Sequence, residues 1–156
     1  EALLTGLRDE DPLKITQLKF NGNQYKVDAI SCERLLELTD NIDNYDVILI
    51  DEIQFYQDAA YTCDTWANNN KIVECYGLNG DYKREPFEQI SLLISLADNI
   101  THLTAIDKLT GDDAPFTFRI VESNKKELIG GEDMYVALNR KNFISYNKIN
   151  LQTNDL

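Results

Sequence analysis

An α/β fold, with a core of parallel strands and helices and a small β-rich lobe at the C-terminus, is the class this sequence predicts. Three observations predict it. Val47-Ile48-Leu49-Ile50 is an unbroken apolar run that ends on Asp51-Glu52, the pattern of a strand buried on both faces of a parallel sheet. A helical pattern and a second apolar run, Lys71 to Leu78, follow it, and strand, helix, strand at that spacing is a crossover between parallel neighbours. From Asp107 onward the chain turns polar and glycine-punctuated, with short segments that suit an antiparallel pair. The expected division is 1–106 for the core, 107–149 for the lobe and 150–156 for a tail.

Each element has its own signal. Glu1 to Leu7 reads as a helix remnant, and Arg8 to Pro12 as a charged loop. Ile15 to Phe20 and Gln24 to Ile30 read as a hairpin around Asn21-Gly22, since Asn-Gly supplies the positive φ angles of a tight turn. Ser31 is the expected N-cap of a short helix carrying Leu35, Leu36 and Leu38. Asp40 to Asp46 is a polar loop into the central strand. Ala59, Ala60, Cys63 and Trp66 are near helical spacing in a helix from about Asp58 to Ala67, which Asn68-Asn69-Asn70 ends. Asn79 to Arg84 is a loop at the same sheet edge as Asp51-Glu52. Pro86 suits the first turn of a helix that turns Ile90, Leu93, Ile94 and Ala97 inward. Ile100 to Ile106 is expected as a further strand of the sheet. Asp107 to Asp113 is a polar loop, Ala114 to Glu122 and Glu127 to Ile129 an antiparallel pair, and Asn139 to Ile149 one more strand.

Composition excludes several classes. The formal net charge is −12, which argues against a protein that coats nucleic acid, because phosphate binding needs a dense basic surface. No apolar run approaches the roughly 20 residues of a membrane span. The three cysteines, Cys32, Cys63 and Cys75, have no paired short spacing and read as reduced thiols of a cytoplasmic protein. A lone histidine, His102, is assigned no role. The chain starts at Glu1 without Met, so a segment ahead of it is expected.

In open α/β sheets the ligand crevice lies beyond the carboxyl ends of the strands, where Asp51 and Glu52 stand. A carboxylate there can hold magnesium directly or through water, and a second can take a proton from a substrate hydroxyl. Two acids can also simply mark where a strand leaves the core.

Three segments taken together resemble one family. They are Ile50-Asp51-Glu52-Ile53-Gln54-Phe55, Gly77-Leu78-Asn79-Gly80-Asp81-Tyr82-Lys83-Arg84-Glu85-Pro86-Phe87, and Ile129-Gly130-Gly131-Glu132-Asp133-Met134-Tyr135. With Leu103-Thr104-Ala105 between them, they are similar to the zinc-containing, cytosolic and viral type of thymidine kinase over about residues 46–144. The resemblance implies a P-loop-kinase-like parallel core and a small lobe whose lasso loop closes over the base. It implies transfer of the γ-phosphoryl group of ATP to the 5′-hydroxyl of thymidine. Glu52 is then the proton acceptor and Asp51 organises magnesium. Phe55, Tyr82 and Phe87 wall the nucleoside pocket, with Leu78 beside the base. Tyr135 meets the sugar or base, and backbone around Ile129, Gly130 and Gly131 bonds the thymine edge. Arg84 and Arg119 are the candidates to meet phosphates. Magnesium and ATP are the implied cofactors, thymidine or a dTTP-like nucleotide the ligand, and a homotetramer or larger complex the assembly.

The sequence departs from that pattern twice. No Gly-x-x-x-x-Gly-Lys-Ser/Thr occurs in the 156 residues, and that loop cradles ATP phosphates. The family also holds its lobe with zinc on two Cys-x-x-Cys pairs, and the matching positions here are Asp107 and Thr110, then Asn139 and Asn142. A carboxylate, a hydroxyl and two amides do not make a tetrahedral thiolate or imidazole site, so zinc is not expected. Three function readings follow. One is a thymidine kinase whose P-loop precedes this chain. Another is a catalytically dead relative that serves as a structural or interaction subunit. The third is a nucleoside-binding module that keeps the pocket but not the transfer.

Overall fold

The computed structural model describes residues 2–5, 14–20, 23–121 and 134–153. Five strands, Ala2–Thr5 (β1), Lys14–Phe20 (β2), Asn23–Ala29 (β3), Val47–Ile50 (β4) and Ile72–Cys75 (β5), form one sheet in the order β2-β3-β1-β4-β5. As the apolar run predicts, β4 is flanked on both sides by parallel neighbours, with Leu3 opposite Ile48 and Ile48 opposite Val73. Ile48 and Ile50 are fully buried. The segment expected as a helix remnant is instead β1. Its backbone pairs with β4 on one side and β3 on the other, and ladder bonds on both edges override the helical preference of Ala and Leu.

β2 and β3 are the expected antiparallel hairpin, in register from Lys14 opposite Ala29 to Phe20 opposite Asn23. That register leaves two residues for the connection, the length an Asn-Gly turn serves; Asn21 and Gly22 lie outside the described residues. The next segment is a single 3-10 turn, Leu35–Leu38. Ser31 does not cap it. Its N-cap is Arg34, and the first N–H groups of the turn, those of Leu35 and Leu36, donate to the Asp58 carboxylate at 3.3 and 3.0 Å, so the cap comes from 22 residues downstream.

The crossover helix is Ala59–Asn68 (α1), which joins β4 to its parallel neighbour β5. Trp66, Tyr56, Leu35 and Ile53 pack with Ile48 and Ile50 in the main core. The second helix, Glu88–Leu96 (α2), starts later than the proline suggests. Pro86 lies outside it, bridged to Gly80. Ile90 and Leu93 pack on the core, but Ile94 is 52% exposed and Ala97 is exposed, because a helix of nine residues presents only a narrow stripe to one side.

The chain forms two units, Glu1–Asn79 with Phe87–Asp98, and Gly80–Pro86 with Asn99–Leu156. In the second unit, Ala105–Ile106 (β6) pairs antiparallel with Asp113–Ala114 (β7), and Phe116–Arg119 (β8) with Tyr135–Leu138 (β9). The strand expected over Ile100 to Ile106 is thus two residues long and does not join the main sheet. Ile100 and Leu103 are 60% and 82% exposed, so burial does not favour a strand there. The observed partner of β8 is β9; Glu127 to Ile129 lie outside the described residues.

Arg140–Thr153 (α3) is a helix, not the expected strand, and it runs through most of the supposed tail. Asn139 explains it. Its Oδ1 accepts the N–H of Asn142 at 2.8 Å and its carbonyl accepts that of Phe143 at 2.9 Å, which is N-capping geometry. Phe143 then packs with Phe118 and Leu138. The class is mixed α/β, with small parallel and antiparallel sheets.

Candidate functional site

In the first unit, β4 delivers the acid pair. Asp51 donates its N–H to the Thr5 carbonyl at 3.0 Å, so its backbone is still tied to β1. Its Oδ1 accepts the N–H of Glu52 at 3.0 Å. Glu52 adopts φ 50, ψ 40, a left-handed conformation costing a side chain about 1–2 kcal/mol. The chain there turns sharply into the 3-10 turn Ile53–Phe55. Both carboxylates are exposed.

Gln54, to which the sequence assigns no role, is the residue that holds this corner. It is buried, at 4% exposure. Its Nε2 donates to Glu52 Oε2, and its Oε1 accepts the N–H of Leu78 at 3.1 Å. Gly77 makes room for it: a Cβ there would stand 2.4 Å from Gln54 Oε1 and 2.8 Å from Ile53 Cγ2. The only signal in the sequence is Gln54's place inside the Asp51-to-Phe55 segment. Phe55 and Phe87 meet edge to face, with ring centres 6.2 Å apart at 79°. Leu78 is 49% exposed.

Elsewhere in this unit, the Cys63 and Cys75 sulfurs are 3.7 Å apart. Their shared hydrogen bond pushes the Cys63 thiol up and holds Cys75 below the usual thiol value. All three cysteines are free thiols.

In the second unit, the loop Gly80–Pro86 is built on Asp81, a second residue missed from sequence. Its buried Oδ1 accepts the N–H groups of Lys83 and Glu85 at 2.9 and 2.8 Å. This fixes Tyr82, whose ring is covered by the Arg119 guanidinium at 3.7 Å. Arg119 is 6% exposed, and its Nη2 donates to the Tyr135 hydroxyl at 2.9 Å. Tyr82, Arg119 and Tyr135 therefore form one stack. Arg84 is exposed, at φ 67, with its guanidinium 5.1 Å from the Phe143 ring centre and 5.8 Å from that of Phe116. Ile129, Gly130 and Gly131 lie outside the described residues.

The four positions matched to zinc thiolates come together through hydrogen bonds. Asp107 is fully buried. Its Oδ2 accepts from Asn139 N–H and Asn142 Nδ2, each at 2.8 Å, and its Oδ1 from Leu109 N–H at 2.9 Å. Asn139 Nδ2 donates to Thr110 Oγ1 at 3.1 Å. The Asn139 amide first, then Asn142 and the Leu109 and Thr110 amides, hold the Asp107 carboxyl below its usual range against the opposing effect of burial.

In the first unit, two exposed carboxylates thus stand at a parallel strand end, with the Phe55–Phe87 ring pair in the same unit. Comparison with known proteins shows the family. The thymidine kinase family model matches residues 12–143. The thymidine kinase of raccoon poxvirus is 37% identical over 123 residues, covering 79% of this chain and 70% of that protein. Thymidine kinase 1 of Dictyostelium discoideum is 41% identical over 112 residues, covering 72% and 49%. The thymidine kinase of Oryza sativa subsp. japonica is 43% identical over 107 residues, covering 68% and 40%. The matches thus span about half the length of some relatives and about two thirds of others. With 132 consecutive positions matched by the family model, the three quoted segments among them, the chain belongs to the thymidine kinase family.

Proposed function

We propose that the protein carrying this chain transfers the γ-phosphoryl group of ATP to the 5′-hydroxyl of thymidine. The observation that carries the reading is the pair of carboxylates at the end of β4, one of them braced by a buried amide. Attack by a primary hydroxyl needs an acceptor for its proton, and Glu52 is that acceptor. Magnesium, when bound, neutralises charge on the phosphates; it takes few protein ligands beyond one or two carboxylates, and exposed Asp51 fits as one. Phe55, Phe87 and Leu78 contact the base, and backbone of Ile129 to Gly131 bonds its edge. Tyr82 and Tyr135 hold the nucleoside, with Arg119 keeping their rings in place. Arg84 is left to meet phosphates.

The parallel set β1-β4-β5 supports a P-loop-kinase-like core. The pair β8-β9, closed by Ile120 N–H to the Met134 carbonyl at 2.8 Å, supports the lasso. The phosphate-cradling loop does not occur in these 156 residues, so the reading applies to a protein that carries it ahead of β1. Hydrogen bonds among Asp107, Thr110, Asn139 and Asn142 join the positions where thiolates would have held zinc, and this lobe is read as zinc-free. Exposed Leu92 and Leu96 on α2 offer apolar surface for self-association, and the protein is read as a homotetramer or larger complex of the cytoplasm. Among the described residues, no helix is long and apolar enough to cross a membrane.

A second reading, an inactive relative serving as a structural subunit, is favoured by the same Asp107 network, which holds its lobe without the family's metal. The test is turnover by the full-length protein with magnesium, ATP and thymidine. Glu52→Gln is expected to lower kcat about 10²- to 10⁴-fold with thymidine affinity little changed. A full-length protein without magnesium- and ATP-dependent turnover sinks the kinase reading in favour of the second.

A further inference from the structure

We propose that Gln54 is a positioning residue, one that aims the Glu52 carboxylate and sets its distance from Leu78. The inference rests on the kinase reading of Glu52. A glutamine side chain is seldom fully buried, and when buried its polar atoms are bonded for a reason. Here both ends of one amide are used, and on two different elements. Nε2 donates to Glu52 Oε2 at the end of β4, while Oε1 accepts from Leu78 N–H beyond β5.

The direction of the amide follows from its partners. A backbone N–H can only donate, so Oε1 faces Leu78, and the NH₂ group faces the carboxylate. An ionised carboxylate only accepts, so it is the NH₂ end that reaches Glu52 Oε2. With Oε2 engaged, Oε1 of Glu52 is the oxygen left for the substrate hydroxyl. Glu52 stands on a left-handed residue, an uncommon backbone state that persists only when its surroundings over-determine it. The amide is one such constraint. Gly77 is the other half of the device. Any side chain there would push into Gln54 Oε1 and Ile53, so the β5 end is bare where the amide passes.

Glu52 and the backbone of Leu78 are thus linked through one amide. A proton acceptor displaced by a fraction of an ångström loses rate without losing substrate affinity.

The test uses the full-length protein, steady-state kinetics in thymidine and ATP, and thermal melting. Gln54→Met keeps the volume but neither hydrogen bond. It is expected to lower kcat 30- to 100-fold, with KM for thymidine within threefold and a melting temperature within a few degrees of wild type. Gln54→Glu keeps an acceptor for Leu78 N–H but puts a carboxylate against Glu52; it is expected to be as slow as Gln54→Met. Gly77→Ala, which alters neither group chemically, is expected to lower kcat about tenfold by displacing the amide. If Gln54→Glu retains wild-type kcat, the amide serves Leu78 alone and the proposal is overturned. A Gln54→Met enzyme with wild-type kcat, or with kcat lost only in proportion to folded protein, overturns it as well. A wild-type protein without turnover fails earlier, at the kinase reading itself, and Glu52→Gln run alongside separates the two failures: kcat lost in Glu52→Gln but kept in Gln54→Met leaves the kinase and removes only the positioning role.

Discussion

A carboxylate taken out of water is costly unless N–H groups replace the water. Asp107 has that replacement: three N–H donors, two from backbone and one from Asn142, reach its two oxygens. The charged form is the one these donors stabilise, so its native pKa lies below the ordinary value of 3.8. A carboxyl with a depressed native pKa adds stability that is fully present above the unfolded value. That stability is lost as pH falls through the native value. Asp107→Asn should therefore lower the urea midpoint relative to wild type at every pH above about 5. The gap should close as pH drops below 3.8 toward the native value. Urea titrations of both proteins between pH 7 and 3 check this. A gap that does not depend on pH means that the shape of Asp107, not its charge, joins Leu109 to Asn139 and Asn142.

At the scale of elements, what the sequence made legible was whatever local pattern decides. The β4 run, the hairpin register and the α1 crossover all follow from periodicity and turn chemistry. Elements decided by distant partners are not legible in that way. β1 is a strand because two neighbours pair with it, and nothing in Ala-Leu-Leu-Thr announces those neighbours. The 3-10 turn at Leu35 is capped by Asp58, invisible to a search for a local cap. α3 differs, because its signal is local: Asn139 is an N-cap residue type directly ahead of the helix, and its match to a zinc-ligand position masks that role. The site divides the same way. The place of Asp51 and Glu52 at a strand end is legible from the apolar run before them, whereas Gln54 and Asp81 bond to partners that only folding brings near.

What holds α3 is also long-range. Phe143, 4% exposed, meets Phe116 at 5.4 Å and Phe118 at 6.0 Å. Removing a buried phenyl ring costs about 3–5 kcal/mol. Phe143→Ala should thus leave the α3 amides close to unprotected in hydrogen exchange. Protection equal to wild type would show that capping by Asn139, not the aromatic cluster, sustains the helix.

On the scale of the whole chain the dominant fact is charge: 27 acidic against 15 basic side chains, a formal net of −12. Ion pairs cannot neutralise such an excess, and the uncompensated carboxylates repel one another more in the compact state than in the open one. Salt screens that repulsion, since the Debye length falls from about 30 Å at 0.01 M to about 10 Å at 0.1 M. Raising sodium chloride from 0.01 to 0.2 M at pH 7.5 should therefore raise the melting temperature, by a few degrees if the repulsion costs about 1 kcal/mol. The sign is opposite to that for a fold held by surface ion pairs, which salt weakens. The control is pH. As the solution approaches the sequence isoelectric point near 4.4, the net charge and with it the salt response should shrink, so the same salt step at pH 5.5 should give a smaller rise. An equal rise at both pH values would point to general exclusion of salt from apolar surface. A fall would mean that specific pairs such as Arg34 with Asp58 outweigh the field. Acid repulsion shrinking toward pH 5.5 and the Asp107 contribution vanishing only below 3.8 occupy different pH windows, so one set of melts over pH and salt separates the two.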